Sequence, residues 1–105
     1  VSEAERTSGS GFGDLDPVIH APKRLVAMAV LSSADQVTFQ FLKERLGIAD
    51  SDLSKQMSAL EAAGYVAVHK SGRGRGASTS FKLTRAGRTA YRAHRAALQA
   101  LLGED

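Results

Sequence analysis

The chain has no cysteine and no tryptophan. Without cysteine it can form no disulfide, no thiolate metal site and no cysteine nucleophile. Proline occurs only twice, at Pro17 and Pro22, and aromatic residues make up 6% of the sequence. No apolar run approaches the roughly 18 residues that a bilayer span needs. The N-terminal residues do not show the charged-then-apolar pattern of a secretory signal, so a cytoplasmic location is the expectation. The motifs of metalloproteases, serine hydrolases and P-loop nucleotide binders are missing as well. No nucleophile is paired with a base, so the chain reads as a non-enzyme, with no cofactor implied. His20, His69 and His94 stand far apart in sequence and read as isolated packing or surface residues, so no metal site is expected.

One further absence carries information. Between Val66 and Gly103 there is no acidic residue, while Lys70, Arg73, Arg75, Lys82, Arg85, Arg88, Arg92 and Arg95 all fall there. Residues 1–16 hold Glu3, Glu5, Asp14 and Asp16 against Arg6, a net charge of −3, within a total of +3. The rest of the chain is therefore +6. A field of one sign repels itself and attracts polyanions, which favours a nucleic acid as partner.

With 105 residues, 43% of them hydrophobic, the chain suits one small domain with a single core. Residues 1–13, VSEAERTSGSGFG, are rich in serine and glycine and read as a flexible tail ahead of a domain over 14–105. A first helical region is expected to begin at Asp16-Pro17 and run to Leu31, with Pro22 either kinking it or marking its true start. Its apolar residues cover more than one face, with Val26 and Val30 among them. A very short strand at 36–38 follows. Thr38 then caps a second helix, Phe39 to Leu46, which Gly47 stops.

Asp50 or Ser51 is expected to cap a third helix that runs to Ala63. Leu53, Met57 and Leu60 recur at helical spacing and define its buried stripe. The opposite side carries Ser51, Ser54, Lys55 and Ser58, with Gln56 at its edge. Strands over 65–69 and 79–83 flank the glycine-rich turn Ser71 to Ala77, giving a hairpin with a basic tip at Lys70, Arg73 and Arg75. Thr84 caps a last helix reaching about Leu102, with Tyr91, His94 or Arg95, Leu98, Leu101 and Leu102 along one stripe. At about 27 Å that helix is long for so small a core.

The expected fold is mainly α with a small β-hairpin, a winged helix-turn-helix whose first and last helices pack for dimerisation. In such a unit the second helix of the pair reads the major groove, and the wing reaches the flanking backbone or minor groove. Small polar side chains permit the close approach this requires. The alternative is a winged-helix module that binds a partner protein without specific DNA binding.

The stretches Phe41 to Ile48, Asp52 to Met57 and Leu60 to Val66, with Phe81 to Gly87 downstream, resemble short MarR/ArsR-like winged-helix transcriptional regulators. The combination M-x-x-L-E-x-x-G-Y-V, then L-T-x-x-G, carries the resemblance, which covers roughly residues 17–102. It implies a homodimer on a palindromic double-stranded DNA operator, with the third helix as reader. Ser54-Lys55-Gln56-Met57 stands where the family often has Ser-Arg-His-Leu. The resemblance therefore assigns Ser54 and Lys55 to the DNA side and leaves base preference open at Gln56. It extends neither metal sensing nor a phenolic-ligand pocket to this chain. The candidate DNA-binding residues are Ser51, Ser54, Lys55, Gln56, Ser58, Lys70, Arg73 and Arg75. The candidate dimer interface comprises Val26, Val30, Tyr91, Leu98, Leu101 and Leu102.

Overall fold

The computed structural model describes residues 12–74 and 77–103. Helices α1 (Pro22–Ser32), α2 (Phe39–Leu46), α3 (Asp50–Ala62) and α4 (Arg85–Leu102) combine with strands β1 (Val37–Thr38), β2 (Val66–Ser71) and β3 (Ser78–Leu83). A 3-10 turn at Phe12–Asp14 straddles the boundary expected at residue 13 and packs against α4. The remainder of the expected tail, residues 1–11, lies outside the described residues.

The strands form one antiparallel sheet in the order β1-β3-β2. β2 and β3 make the hairpin, with Val66 opposite Leu83 and Ser71 opposite Ser78. β1 adds to the other edge of β3, Val37 against Phe81. The hairpin of the sequence reading is thus part of a three-stranded sheet.

The start of the first helix differs from the expectation at Asp16-Pro17. α1 begins at Pro22, so that proline marks the start and does not kink a longer helix. Proline is well placed there, because its missing N–H is one that a first turn leaves unpaired anyway. Asp16 organises the turn before the helix instead. Its Oδ1 accepts from the backbone N–H groups of Val18 at 2.9 Å and Ile19 at 3.4 Å. Ile19 is driven fully into the core by that turn.

The expected cap of α3 also moves. Ala49 is the N-cap residue, and no side chain caps the helix. The turn from Gly47 is so short that Asp50 is already helical. Asp50 and Asp52 then supply negative charge to the first turn, which complements the helix dipole. By contrast, the Thr38 cap is observed, its hydroxyl accepting from Phe41 N–H at 3.0 Å. Gly47 takes the left-handed conformation with φ of 67°.

Core residues come from every layer: Ile19, Met28 and Leu31, then Leu42, then Leu53, Met57 and Leu60, then Val66, Phe81 and Leu83. Each such apolar side chain contributes about 1.5–3 kcal/mol on burial. An exposed ion pair such as Lys43–Asp50, at 2.9 Å, contributes about 0–1 kcal/mol. Packing of these stripes therefore decides the fold.

The two halves of the sequence motif meet in space. Thr84 Oγ1 donates to the Gly64 carbonyl at 2.6 Å, and Thr84 N–H to the Tyr65 carbonyl at 3.0 Å. The same hydroxyl accepts from Gly87 N–H at 2.9 Å, capping α4. At Gly87 a Cβ would stand 2.0 Å from the Tyr65 carbonyl oxygen, so only glycine allows α4 to lie this close.

Candidate nucleic-acid interface

α3 is pinned from below by Leu53, Met57 and Leu60. Helical geometry then fixes the opposite side outward. Ser51, Ser54, Lys55 and Ser58 are all exposed there. The structure brings these four together on one small, polar, weakly basic face, as the spacing predicts.

Gln56 departs from the expectation that placed it with them. Its side chain is half-buried, its Oε1 accepts from Arg24 Nη1 at 2.8 Å, and its Nε2 donates to Asp52 Oδ1 at 2.8 Å. It is turned toward α1, away from the exposed face. The physical reason is the partner: Arg24 lies 32 positions away in sequence and offers a charge-assisted bond.

Beside α3 the hairpin projects as a wing. Lys70 and Arg73 are exposed on it, and Gly72 and Gly74 take positive φ at its tip. Arg75, the remaining cation expected there, lies outside the described residues. An open groove runs between α3 and the wing, lined by Phe39, Ser54, Ser58, Glu61, Lys70 and Thr79 among others. Glu61 was not among the sequence candidates, yet it shares this groove with Ser54 and Ser58. Its position seven residues after Ser54, on the same helical face, is the signal that could have found it.

The candidate interface residues lie on α1 and α4. Val26 is 41% exposed and Leu102 78% exposed, while Val30, Tyr91, Leu98 and Leu101 are half-buried. Phe41, 51% exposed, borders an open groove with Val26, Val30 and Leu25 and adds an apolar residue that sequence reading did not single out. α4 buries only Gly87, His94 and Ala97. Of the paired alternatives for its stripe, His94 is the inward residue, and Arg95 is exposed near the Tyr91 ring.

The histidines are not all isolated. His20 Nδ1 lies 3.2 Å from His94 Nε2, and His94 Nδ1 accepts from the Asp16 backbone N–H at 3.1 Å. The pair joins the segment before α1 to α4, across a separation that the sequence does not reveal. His94 is 1% exposed. Burial, and then the neighbouring His20, push its pKa below the ordinary value, with Asp16 opposing. Tyr65 donates to Asp16 Oδ2 at 2.5 Å, and this bond, with burial, raises the Tyr65 pKa. Among the described residues no group of three or more metal-ligating side chains is assembled, and no helix is long and apolar enough to cross a membrane.

A helix-turn-helix with a polar outer face, followed by a basic wing, defines a DNA-binding domain of the winged-helix class. The chain belongs to the winged helix DNA-binding domain family, whose model matches residues 23–102. That membership makes it a non-enzymatic DNA-binding domain and agrees with the resemblance to winged-helix transcriptional regulators. No curated protein matches it in sequence.

Solved structures share the fold. A transcriptional regulator homologue from Pyrococcus horikoshii OT3 superposes with a TM-score of 0.77 at 20% identity, covering 97% of this chain and 95% of that one. The transcriptional repressor BigR from Xylella fastidiosa gives 0.66 at 21% identity, covering 100% and 99%. NadR in complex with 4-hydroxyphenylacetate gives 0.66 at 22% identity, covering 97% and 75%. At these identities the likeness is one of fold.

Proposed function

We propose that the chain is a sequence-specific regulator that binds double-stranded DNA as a homodimer, with α3 in the major groove and the wing on the flanking backbone or minor groove. The exposed face of Ser51, Ser54, Lys55 and Ser58, opposite the buried stripe of the same helix, carries this reading. Short hydroxyls let the helix backbone approach base edges, and Lys55 supplies a donor for guanine O6 or N7. Lys70, Arg73 and Arg75 supply phosphate contacts that hold the register without reading sequence. Gln56 is left out of the direct contacts, because its amide is already engaged on both sides.

Dimerisation rests on α1 and α4. Val26 and Leu102 are exposed, and Val30, Leu98 and Leu101 are incompletely covered. Joined into one patch, such uncovered apolar side chains on a small domain would offer an interaction surface. A two-fold arrangement would set the two α3 helices roughly 34 Å apart, one turn of DNA, and call for a palindromic operator.

The test is a gel shift on mixed genomic fragments across a salt series. The expected result is binding whose affinity falls steeply and linearly with the logarithm of salt concentration. A protein that binds no fragment at low salt, or whose binding ignores salt, contradicts the reading and leaves the wing and α3 to a protein partner.

A further inference from the structure

The two flanks of α3 are held differently. One flank faces the open wing groove, and among the described residues no side-chain hydrogen bond ties it to the hairpin. The other flank carries Asp52 and Gln56, four residues apart, and both are bound to consecutive residues of α1. Lys23 Nζ donates to Asp52 Oδ2 at 2.5 Å. Arg24 Nη1 donates to Gln56 Oε1 at 2.8 Å, and Gln56 Nε2 donates to Asp52 Oδ1 at 2.8 Å. The same guanidinium donates through Nε to the Val18 carbonyl at 2.5 Å.

This chain of bonds has one workable proton arrangement. Gln56 must present its oxygen to the guanidinium and its amino group to the carboxylate, since a flipped amide would oppose donor to donor and acceptor to acceptor. The Lys23 bond, and then the Gln56 bond, hold the Asp52 carboxyl below its ordinary value, so it remains an acceptor at neutral pH.

We propose that Arg24 is a positioning residue for DNA reading: it locks α3 through Gln56 to α1 and to Val18, and so sets the roll at which Ser54, Lys55 and Ser58 meet base edges. This rests on the DNA-binding role proposed above. The apolar stripe of Leu53, Met57 and Leu60 cannot set the roll alone, because hydrophobic contact is non-directional. Hydrogen bonds are directional and weaken steeply off-line. Side-chain tips lie about 5–6 Å from a helix axis. A roll of about 20° therefore moves them by about 2 Å, enough to break a bond to a base edge. Phosphate attraction tolerates such a shift, because it depends on charge more than on alignment. Losing the lock should thus cost specificity and leave nonspecific affinity in place.

The experiment compares the wild-type chain with Arg24→Met, Gln56→Met and the double variant. Methionine keeps the apolar stem and removes the polar ends. Binding is measured on the wild type's selected site and on a random-sequence duplex, each across a salt series, with urea unfolding as the check on folding. Each single variant is expected to lower the specific-to-nonspecific ratio by about tenfold or more, the salt slope staying the same. The double variant should be no worse than either single one, because both remove the same lock. Unchanged ratios, or losses that multiply, overturn the inference. So does a salt slope that falls by about one in Arg24→Met, since Arg24 would then be a phosphate contact. If Arg24→Met does not fold, Gln56→Met alone decides, as it leaves the Val18 bond in place. A wild-type chain that selects no sequence removes the DNA-reading function and the lock with it. A wild type that selects while the variants keep its ratio removes the lock only.

Discussion

α3 and α4 spend their surfaces in opposite ways. α3, with 13 residues, buries Leu53, Met57 and Leu60 and turns serines and one lysine outward. α4, with 18 residues, buries Gly87, His94 and Ala97 and leaves Leu98, Leu101 and Leu102 incompletely covered. The first helix has completed its apolar packing within the domain and offers a wet, polar face. The second has not, and three leucines near its C-terminal end remain incompletely covered among exposed polar residues. A polyanion suits the former and a like surface suits the latter. Under the proposed function, the contrast separates a reading face on α3 from an assembly face on α4.

The largest effect is expected where the two helices are joined, at the Gly64-Tyr65 and Thr84–Gly87 contact. Gly87→Ala sets a methyl group 2.0 Å from a backbone oxygen, and no flexible side chain can yield. A loss of about 3 kcal/mol is expected, at the upper end for overpacking. Urea unfolding checks it, and a variant within about 0.5 kcal/mol of wild type would mean that α4 sits elsewhere.

Next comes the assembly side. Leu101→Glu with Leu102→Glu, or truncation after Arg95, should yield monomers in sedimentation velocity. Operator affinity should fall by about 100-fold or more, since two linked half-sites bind through effective concentration. Unchanged sedimentation would move the interface off α4.

The wing should contribute less and without regard to sequence. Arg73→Ala with Arg75→Ala is expected to flatten the salt slope by about 1–2 units and weaken all duplexes alike. A loss confined to one sequence would instead make the wing a base reader.

The smallest effect belongs to His94. Its folded pKa is lowered, so folding favours the neutral ring, and the unfolded chain takes up more protons. Its contribution to stability is complete above the ordinary value of 6.5 and is lost as pH falls from there toward the lowered folded value. Urea midpoints between pH 8 and pH 5 should show this decline. His94→Gln should flatten it, and a variant that declines as steeply as wild type would assign the dependence to another group.

How much of this was readable in advance depends on sequence distance. The Thr38 cap and the Gly47 stop are local signals, and both appear where the sequence puts them. The exposed face of α3 follows from periodicity alone. The winged-helix family rested on two motif halves, and the structure explains their pairing: Gly64 and Tyr65 touch Thr84 and Gly87. What was not readable involves partners far along the chain. Arg24 with Gln56 and His20 with His94 are separated by 32 and 74 positions, and no local pattern announces either. The same limit explains why Gln56 reads as an outward residue. Its wheel position lies at the edge of the exposed face, and only Arg24 turns it inward.

Whether the outer face of α3 reads bases is decided by selection from random double-stranded DNA with the wild-type chain and with Lys55→Ala. The expected result is a two-fold symmetric consensus with half-sites one turn apart, and relaxed preference at one position per half-site in the variant, at a cost of about 1–3 kcal/mol. The same consensus at the same strength from both proteins would rule out base reading by this face.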